Sequence, residues 1–195
     1  LPCVGSDLRN SVKVVADAYN GTVDYYVSDA ADPLIATYQK IFPGVFKPLS
    51  EMPPSLRAHV RYPEQLFRIQ AHIYRTYHME RAEVFYNKED LWSIAREKYE
   101  DAVQDVQPYY TIMRLPDQPK EEFVLMLPFT PSKKDNLVAW FAARNDGDGY
   151  GQFLVYKFPK QQLVYGPLQI EARIDQEAEI SKQLSLWSQR GSRVI

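Results

Sequence analysis

The stretch PYYTIMRLPDQPKEEFVLMLPFTPSKKDNLVAWFAARNDGDGYGQFLVYKF, residues 108–158, decides the fold because it holds four apolar runs of similar length. The runs are Tyr109 to Leu115, Phe123 to Phe129, Leu137 to Arg144 and Gln152 to Phe158. Proline, lysine, asparagine and glycine residues separate the runs, as is usual for turns. Runs of strand length joined by short connections predict a meander of four antiparallel strands.

The second and third runs are apolar on both faces of the predicted strands, so both sides of the sheet should be covered there. Helices predicted before and after the sheet are the natural cover. The N-terminal part adds a β-hairpin, predicted from Ser11 to Val27, with Asn20-Gly21 as a type I′ turn. A helix ending at Gly21 is the alternative.

Helix signals concentrate between residues 30 and 105. Asp32 and Pro33 predict an N-cap and a first helical residue, and Pro43-Gly44 should end that helix. Four prolines between residues 43 and 54 predict a stiff, irregular connector, followed by a short helix from Pro54 to His59.

The clearest helix is predicted from Pro63 to about His78. Its apolar residues recur at three- and four-residue spacing and should be buried. They are Leu66, Ile69, Ile73 and Tyr77, flanked by Phe67 and Tyr74. The opposite side carries Arg68, His72 and Arg75.

Two further regions are predicted to be helical. Short pieces are expected near Glu89 to Trp92 and Ile94 to Tyr99, and a longer helix is expected from Gln176 to Gln189. Ile180, Leu184 and Trp187 are spaced as a buried stripe of the longer helix, and Gly191 should terminate it.

These elements predict an α+β fold with a mainly antiparallel sheet, formed by the N-terminal hairpin and the four-strand meander and covered by helices. We expect residues 1–195 to be a single soluble module of a longer protein. Its parts are a helix-rich region over 30–105, a strand-rich region over 108–165 and a C-terminal helix over 176–190.

Composition excludes several functional classes. The 23 basic and 25 acidic residues give a formal net charge of −2, without the basic excess of a dedicated nucleic-acid-binding protein. No apolar run reaches the length needed to span a bilayer. Cys3 is the only cysteine, so neither an internal disulfide nor a thiolate metal cluster is expected.

No metal or cofactor site is predicted. His59, His72 and His78 do not have the spacing of a zinc site. If Gly149 is aligned with the glycine of a calcium loop, Arg144 and Val155 fall at positions where such a loop needs oxygen ligands. Neither side chain provides one, so no calcium site is predicted.

Acidic residues provide the only candidate for catalysis. Glu171, Asp175 and Glu179 would share one face if residues 171–179 were a continuous helix. An envelope hydrolase that uses acidic residues between Glu171 and Glu179 is therefore an alternative function. A solvated acidic surface is the simpler interpretation, and no catalytic residue is assigned.

A basic group provides the candidate binding site. Arg61, Arg68, His72 and Arg75, interleaved with aromatic residues, can meet an anionic lipid headgroup, a polyanion or an acidic partner. The exposed side of an amphipathic helix is the alternative explanation of the same pattern.

Several short strings, in this order and spacing, resemble one family. They are RNSVK at 9–13, DAYNGTV at 17–23, FPG at 42–44, LRAH at 56–59 with RYPE at 61–64, FYN at 85–87, YY at 109–110 with RLP at 114–116, GYG at 149–151, GP at 166–167 and QLSLWSQRGS at 183–192. This combination resembles the large multi-pass bacterial membrane proteins of uncharacterised protein family 0182. The resemblance runs from Arg9 to Ile195, whereas Leu1 to Asp7 departs from the apolar lead-in expected there.

The resemblance implies an architecture rather than a reaction. It implies a parent protein in the cell membrane, with N-terminal transmembrane helices, a soluble region on the extracytoplasmic side and more strand-rich sequence after Ile195. No activity is assigned to the family, so no catalytic residue or cofactor follows from it. We expect a non-catalytic extracytoplasmic module that serves assembly or ligand recognition, with partners left unidentified.

Overall fold

One long central strand organises the main sheet. The computed structural model describes residues 8–99, 102–116, 118–146 and 149–191. In chain order the strands are β1 Val12–Ala16, β2 Val23–Val27, β3 Phe46–Pro48, β4 Trp92–Ile94, β5 Arg96–Tyr99, β6 Ala102–Asp105, β7 Tyr109–Arg114, β8 Glu121–Pro131, β9 Asn136–Leu137, β10 Ala139–Arg144, β11 Phe153–Lys157 and β12 Val164–Tyr165. The helices are α1 Pro33–Ile41, α2 Pro54–Arg57, α3 Glu64–Tyr77, α4 Ala82–Asn87, α5 Pro167–Gln176 and α6 Ala178–Gln189, with a 3-10 turn at Leu49–Glu51.

The predicted meander is confirmed. β7, β8, β10 and β11 pair in sequence order, and every pair is antiparallel. Residues 124–130 of β8 are all buried, as the unbroken apolar run predicted. The predicted fold class, α+β with mainly antiparallel sheets, is also confirmed, because six helices accompany the strands among the described residues.

The outer edge of β8 has two partners. β10 pairs with one edge, while β7 pairs with residues 121–126 and β4 with residues 129–131 of the other edge. Pro128 lies where the partner changes, and its carbonyl accepts a hydrogen bond from the amide of Ala95 at 3.0 Å. The N–H that proline lacks would point toward the same edge, so the β8–β10 ladder loses no hydrogen bond.

α3 covers one face of the sheet through aromatic contacts. The ring of Phe67 stacks on Phe141 with centroids 5.0 Å apart, and Tyr74 stacks on the same ring at 5.5 Å. Trp92 of β4 completes the cluster by packing against Phe129 at 5.7 Å. Phe67 and Phe129 are fully buried, so this layer is the centre of the core.

The helix expected from Pro63 to His78 is confirmed, but only part of its predicted apolar side is buried. Leu66, Phe67 and Ala71 are buried, whereas Ile69, Ile73 and Tyr77 are exposed by 37%, 46% and 69%. Both sets have helical spacing, so periodicity alone does not choose between them. The small side chain of Ala71 allows close approach to the sheet between the two aromatic rings, and this contact selects the face.

The short helices predicted near Glu89 to Trp92 and Ile94 to Tyr99 are wrong. The helix in this region, α4, ends at Asn87, and β4 and then the β5–β6 hairpin follow it. Trp92–Ile94 completes the outer edge of β8, and its tryptophan and isoleucine are residues that favour strands. The region 30–105 is therefore less helical than expected.

The N-terminal hairpin is confirmed, with β1 and β2 paired from Val12 opposite Val27 to Ala16 opposite Val23. Its predicted type I′ turn is wrong. Residues 17–22 form a longer loop in which an Asp17 side-chain oxygen accepts from the amides of Tyr19 and Asn20, at 2.8 and 3.1 Å. Only Gly21 of the Asn-Gly pair has a positive φ, at 74°.

The helix expected to open at Asp32 and Pro33 is confirmed, with Asp32 capping the amide of Leu34 at 2.8 Å. The connector that follows it contains more structure than predicted. Residues 46–48 form β3, which pairs in parallel with β2. The short helix predicted from Pro54 is also present, as α2.

The C-terminal helical region is longer than predicted and broken. α5 begins at Pro167, and Glu177 separates it from α6. The stripe of Ile180, Leu184 and Trp187 was predicted to be buried, but Ile180 and Trp187 are each 45% exposed. Periodicity identified an amphipathic face without identifying what covers it. Among the described residues, no helix is both long and apolar enough to span a membrane.

Candidate functional site

Three of the four predicted anion-binding residues lie together on α3. Arg68 and His72 are exposed, and Arg75 is half-buried one turn further along the same face. Partial desolvation and the positive charges of Arg75 and Arg68 lower the pKa of His72, while Asp105 of β6 acts in the opposite direction. The neutral form of His72 is therefore favoured, and the permanent charges on this face are those of the two arginines.

Arg75 is more enclosed than the sequence indicated. Its Nε is buried and has no hydrogen-bond partner within the described part of the chain. The side chain lines a cavity of about 300 Å³ that also contacts Arg96, Asp105, Lys133 and Lys134. Arg75 therefore connects the basic face of α3 with basic residues of β5 and of the turn after β8.

Arg61 does not join this group. Its Nη1 donates to the carbonyl oxygens of Ala58 and Val60 at 2.9 and 3.0 Å. The guanidinium carbon lies 4.3 Å from the ring centroid of Phe123. These contacts hold the loop before α3 against β8, which is a structural use of the side chain.

Sequence reasoning missed a polar cluster around Lys13. Its Nζ donates to Asn10 Oδ1 at 2.6 Å and to the carbonyl of Arg61 at 3.2 Å, where the hydroxyl of Tyr150 also donates at 3.2 Å. Burial lowers the pKa of Lys13 to about 8. Because Lys13 occupies an ordinary strand position, no sequence signal marked it. Its contacts tie β1 to the loop before α3 and to Tyr150.

The histidines do not converge. His59 is exposed after α2, His72 lies on the outer face of α3, and His78 is buried against Trp92. Within the residues described, no three histidine, cysteine, aspartate or glutamate side chains are grouped as a metal site. Cys3 and part of the 144–149 loop lie outside the described residues.

Two of the acidic residues proposed for a hydrolase form contacts between α5 and β5. Glu171 accepts a hydrogen bond from the backbone amide of Lys98 at 2.5 Å, and Asp175 pairs with the Nζ of the same lysine at 3.1 Å. Glu179 belongs to α6, beyond the break at Glu177, so the continuous acidic face considered from sequence is not formed. The two paired carboxylates attach α5 to β5.

Apolar side chains remain exposed on three helical surfaces. The α1 apolar face consists of Leu34, Tyr38 and Ile41, which are 48%, 49% and 57% exposed at i, i+4 and i+7. The α3 apolar face consists of Ile69, Ile73 and Tyr77. The α5–α6 apolar face consists of Ile170, Ile174, Ile180 and Trp187. Large exposed apolar side chains grouped along a helix are candidates for an interaction surface.

Comparison with known proteins gives one consistent match. The profile described as Uncharacterised protein family (UPF0182) matches residues 6–187. A UPF0182 protein from Pelotomaculum thermopropionicum is 58% identical over 188 residues, and others from Cupriavidus necator and Moorella thermoacetica are each 60% identical, over 193 and 188 residues. Each alignment covers 96% of this chain and 21% of the relative. The chain therefore spans about a fifth of the length of these curated relatives. No solved structure matches it.

Proposed function

Because the chain belongs to the uncharacterised protein family UPF0182, we propose that it is a non-catalytic, extracytoplasmic module of a multi-pass membrane protein and that it serves assembly. The occupant proposed for its exposed apolar surfaces is the remainder of the same polypeptide. The length of the relatives supports this choice, since about four-fifths of each lies outside the aligned region. The extracytoplasmic side is the one that the family resemblance implies.

The α1 apolar face is the observation that carries the proposal. Ile35 is the one buried residue of α1, so the helix contributes little to the core described above. Its outward side presents three large apolar residues, and Tyr38 stacks further on Phe42, with ring centroids 6.4 Å apart. Burying such side chains stabilises an interface by roughly 25 cal/mol per Å² of apolar area, which favours a packed partner over solvent.

The non-catalytic part of the proposal is supported by how the reactive side chains are used. Glu171 and Asp175 bind Lys98, Arg61 binds backbone carbonyls, and Lys13 is held by two oxygen acceptors. Each contact joins two elements of the fold. An active site would instead require such groups to converge on a substrate-sized cleft.

Cysteine accessibility tests both the interface and the location. In a Cys3→Ser background, Tyr38→Cys should react quickly with a membrane-impermeant maleimide in the 195-residue chain and at least about tenfold more slowly in the full-length family protein. The matched control is Tyr19→Cys, because Tyr19 is 95% exposed in the β1–β2 loop and should react in both.

The same control residue reports on the side of the membrane. Tyr19→Cys in the full-length protein should react in intact cells, before any lysis. Reaction only after lysis would reject the extracytoplasmic location, and equal rates for Tyr38→Cys in the two proteins would reject the α1 interface.

Binding of an anionic lipid headgroup through α3 is a second candidate, favoured by the shared face of Arg68, His72 and Arg75. Vesicles containing an anionic phospholipid should sediment the chain, and the Arg68→Ala/Arg75→Ala variant should sediment less. Arg61→Ala removes one positive charge at a site outside the face and serves as the control for each of the single variants Arg68→Ala and Arg75→Ala. Equal sedimentation of the double variant and the unchanged chain would end this idea.

A further inference from the structure

A cleft of about 860 Å³ lies between three loops on the side of the sheet where β8 ends. With the ends of the elements that they join, the loops are residues 87–92 from α4 to β4, residues 131–138 from the end of β8 through β9, and residues 157–162 from the end of β11. Five lysines line it, and we refer to it as the lysine cleft: Lys88, Lys133, Lys134, Lys157 and Lys160.

The charge of the lysine cleft contrasts with that of the chain. Among the described residues that line it, five lysines face two acidic residues, Glu89 and Asp90, which gives these residues a net charge of +3, whereas the whole chain has −2. The pair between Asp90 and Lys160 has its closest atoms 3.5 Å apart and is largely solvent-exposed, so it neutralises little. Such a concentration of one sign in a concave site attracts multiply charged anions.

Two of the lysines occupy backbone positions that disfavour lysine. Lys88 and Lys133 have φ angles of 54° and 69°, and no other non-glycine residue in the described ranges has a positive φ. Lys88 follows α4 at a position where glycine is usual. A left-handed lysine costs on the order of 1 kcal/mol relative to glycine. Both exceptions line the same cleft, which indicates that their side chains have a use there.

The wall beneath the lysines contains one described polar group without a hydrogen-bond partner. Trp92 lines the cleft and is 4% exposed, and its Nε1 has no hydrogen-bond partner within the described chain. The Nζ of Lys157 lies 5.8 Å from the centroid of the Trp92 ring. The wall of the cleft thus contains a buried, unpaired hydrogen-bond donor close to a lysine ammonium group.

We propose that the lysine cleft binds an anion with several phosphate charges, of the size of a tripolyphosphate chain or larger. The net charge of +3 exceeds what a single carboxylate would neutralise, and the volume exceeds what one phosphate fills. Ammonium groups bind phosphate oxygens as point charges from several directions, without the planar geometry of arginine. A soluble polyphosphate ester and a phosphorylated lipid headgroup share this chemistry. The proposal is independent of the assembly role.

The test uses the 195-residue chain and inorganic tripolyphosphate. Trp140→Phe/Trp187→Phe leaves Trp92 as the single tryptophan, so its emission reports on the cleft. Titration should change the Trp92 emission and give a calorimetric dissociation constant that rises steeply with salt. Equal affinity for sulfate, or the absence of any response, would overturn the proposal.

Lys133→Gly separates binding from folding. It removes a charge from the cleft but places glycine at a left-handed position, so the thermal midpoint should not fall. The dissociation constant for tripolyphosphate should rise about tenfold, and more in Lys88→Gly/Lys133→Gly. Lys120→Gly makes the same change in an exposed loop outside the cleft and should bind as the unchanged chain does. Equal weakening by Lys133→Gly and Lys120→Gly would exclude the cleft as the site.

Vesicles distinguish the two sources of the ligand. Vesicles containing a phosphatidylinositol bisphosphate that displace tripolyphosphate from the unchanged chain, and bind Lys133→Gly less tightly, would assign the cleft to a lipid headgroup. Vesicles that leave tripolyphosphate binding unchanged would assign it to a soluble anion. Displacement that does not depend on Lys133 would contradict the proposal that the cleft recognises the shared phosphate chemistry.

Discussion

The imidazole of His78 stacks on the indole of Trp92, with ring centroids 3.6 Å apart and planes inclined by 23°. The Nδ1 of His78 lies 3.1 Å from the carbonyl oxygen of Tyr74, which places the proton of the neutral ring on Nδ1. Its Nε2 is buried without a partner among the residues described. This pair supports the wall of the lysine cleft from behind.

The stability of the fold should therefore decrease in mild acid. Burial lowers the pKa of His78, and the charge of Lys157 acts in the same direction, while the carbonyl of Tyr74 and the charge of Asp90 oppose it. The unfolded chain, with a histidine pKa of about 6.5, binds the proton more readily than the folded chain. The contribution of His78 is thus present above about pH 6.5 and is lost as the pH falls below that value.

Urea denaturation between pH 5 and 8 measures this effect. His78→Phe keeps a stacked ring without a titrating group, so its free energy of unfolding should depend less on pH than that of the unchanged chain. His59→Gln, at an exposed position, should leave the slope unchanged. Identical slopes for His78→Phe and the unchanged chain would contradict the assigned role of the buried imidazole.

Truncating a side chain on the buried face of α3 should lower the free energy of unfolding much more than truncating one on its exposed face. Phe67→Ala removes a fully buried ring from its stack with Phe141 and should lower the free energy of unfolding by about 3–5 kcal/mol. Ile73→Ala, on the α3 apolar face, should cost less than about 1 kcal/mol in the 195-residue chain. Chemical denaturation gives both values, and the reverse order would mean that α3 packs on the sheet through Ile69, Ile73 and Tyr77.

The ion pair between Arg144 and Glu122 should contribute more than the other side-chain ion pairs on the surface. Arg144 donates from Nε and Nη2 to the two carboxylate oxygens of Glu122, at 2.6 and 2.7 Å, and both side chains are mostly buried. Glu122→Gln should cost roughly 1–3 kcal/mol because one buried charge then lacks its partner. Glu83→Gln breaks the exposed pair with Arg81 and should cost less than about 0.5 kcal/mol. Similar costs for the two variants would show that the bidentate geometry adds nothing.

Gly166 should not tolerate a larger residue. A Cβ built at this position would lie 2.0 Å from the carbonyl oxygen of Asp135, so the backbone before β9 would have to move. Gly166→Ala should therefore destabilise the fold by about 1–3 kcal/mol. Gly21→Asn is the control, since asparagine tolerates a left-handed backbone and the space around Gly21 is open. Its cost should stay below about 1 kcal/mol, and a Gly166→Ala variant as stable as the unchanged chain would contradict the steric argument.

Secondary structure could be predicted from the sequence where it depends mainly on the residues of one segment. The four runs between Tyr109 and Phe158 became strands, and Asp32 with Pro33 became a helix start, because turn residues and caps act on their neighbours. The outcome at Trp92–Ile94 depended on the free edge of β8, almost forty residues away in sequence. Trp92 and Ile94 favour strands, but a run of three residues is too short to predict a strand without its pairing partner.

The candidate sites show the same division. Arg68, His72 and Arg75 lie on one side of α3 because helix geometry fixes their relation, whereas Arg61 lies before the helix and packs elsewhere. The lysine cleft was not foreseen, because its lysines come from three loops whose proximity depends on strand order. The positive φ of Lys133 could not be predicted from the sequence, because lysine rarely adopts a left-handed backbone.

The change of partner at Pro128 divides the outer edge of β8 into one part that pairs with β7 and another that pairs with β4. A fluctuation that detaches β7 breaks hydrogen bonds only with residues 121–126 and leaves the β4 bonds with residues 129–131 intact. Amide protons of β7 thus have a route of exchange with solvent that those of β4 do not share. One end of the sheet can open transiently while the end that carries Trp92 keeps its shape.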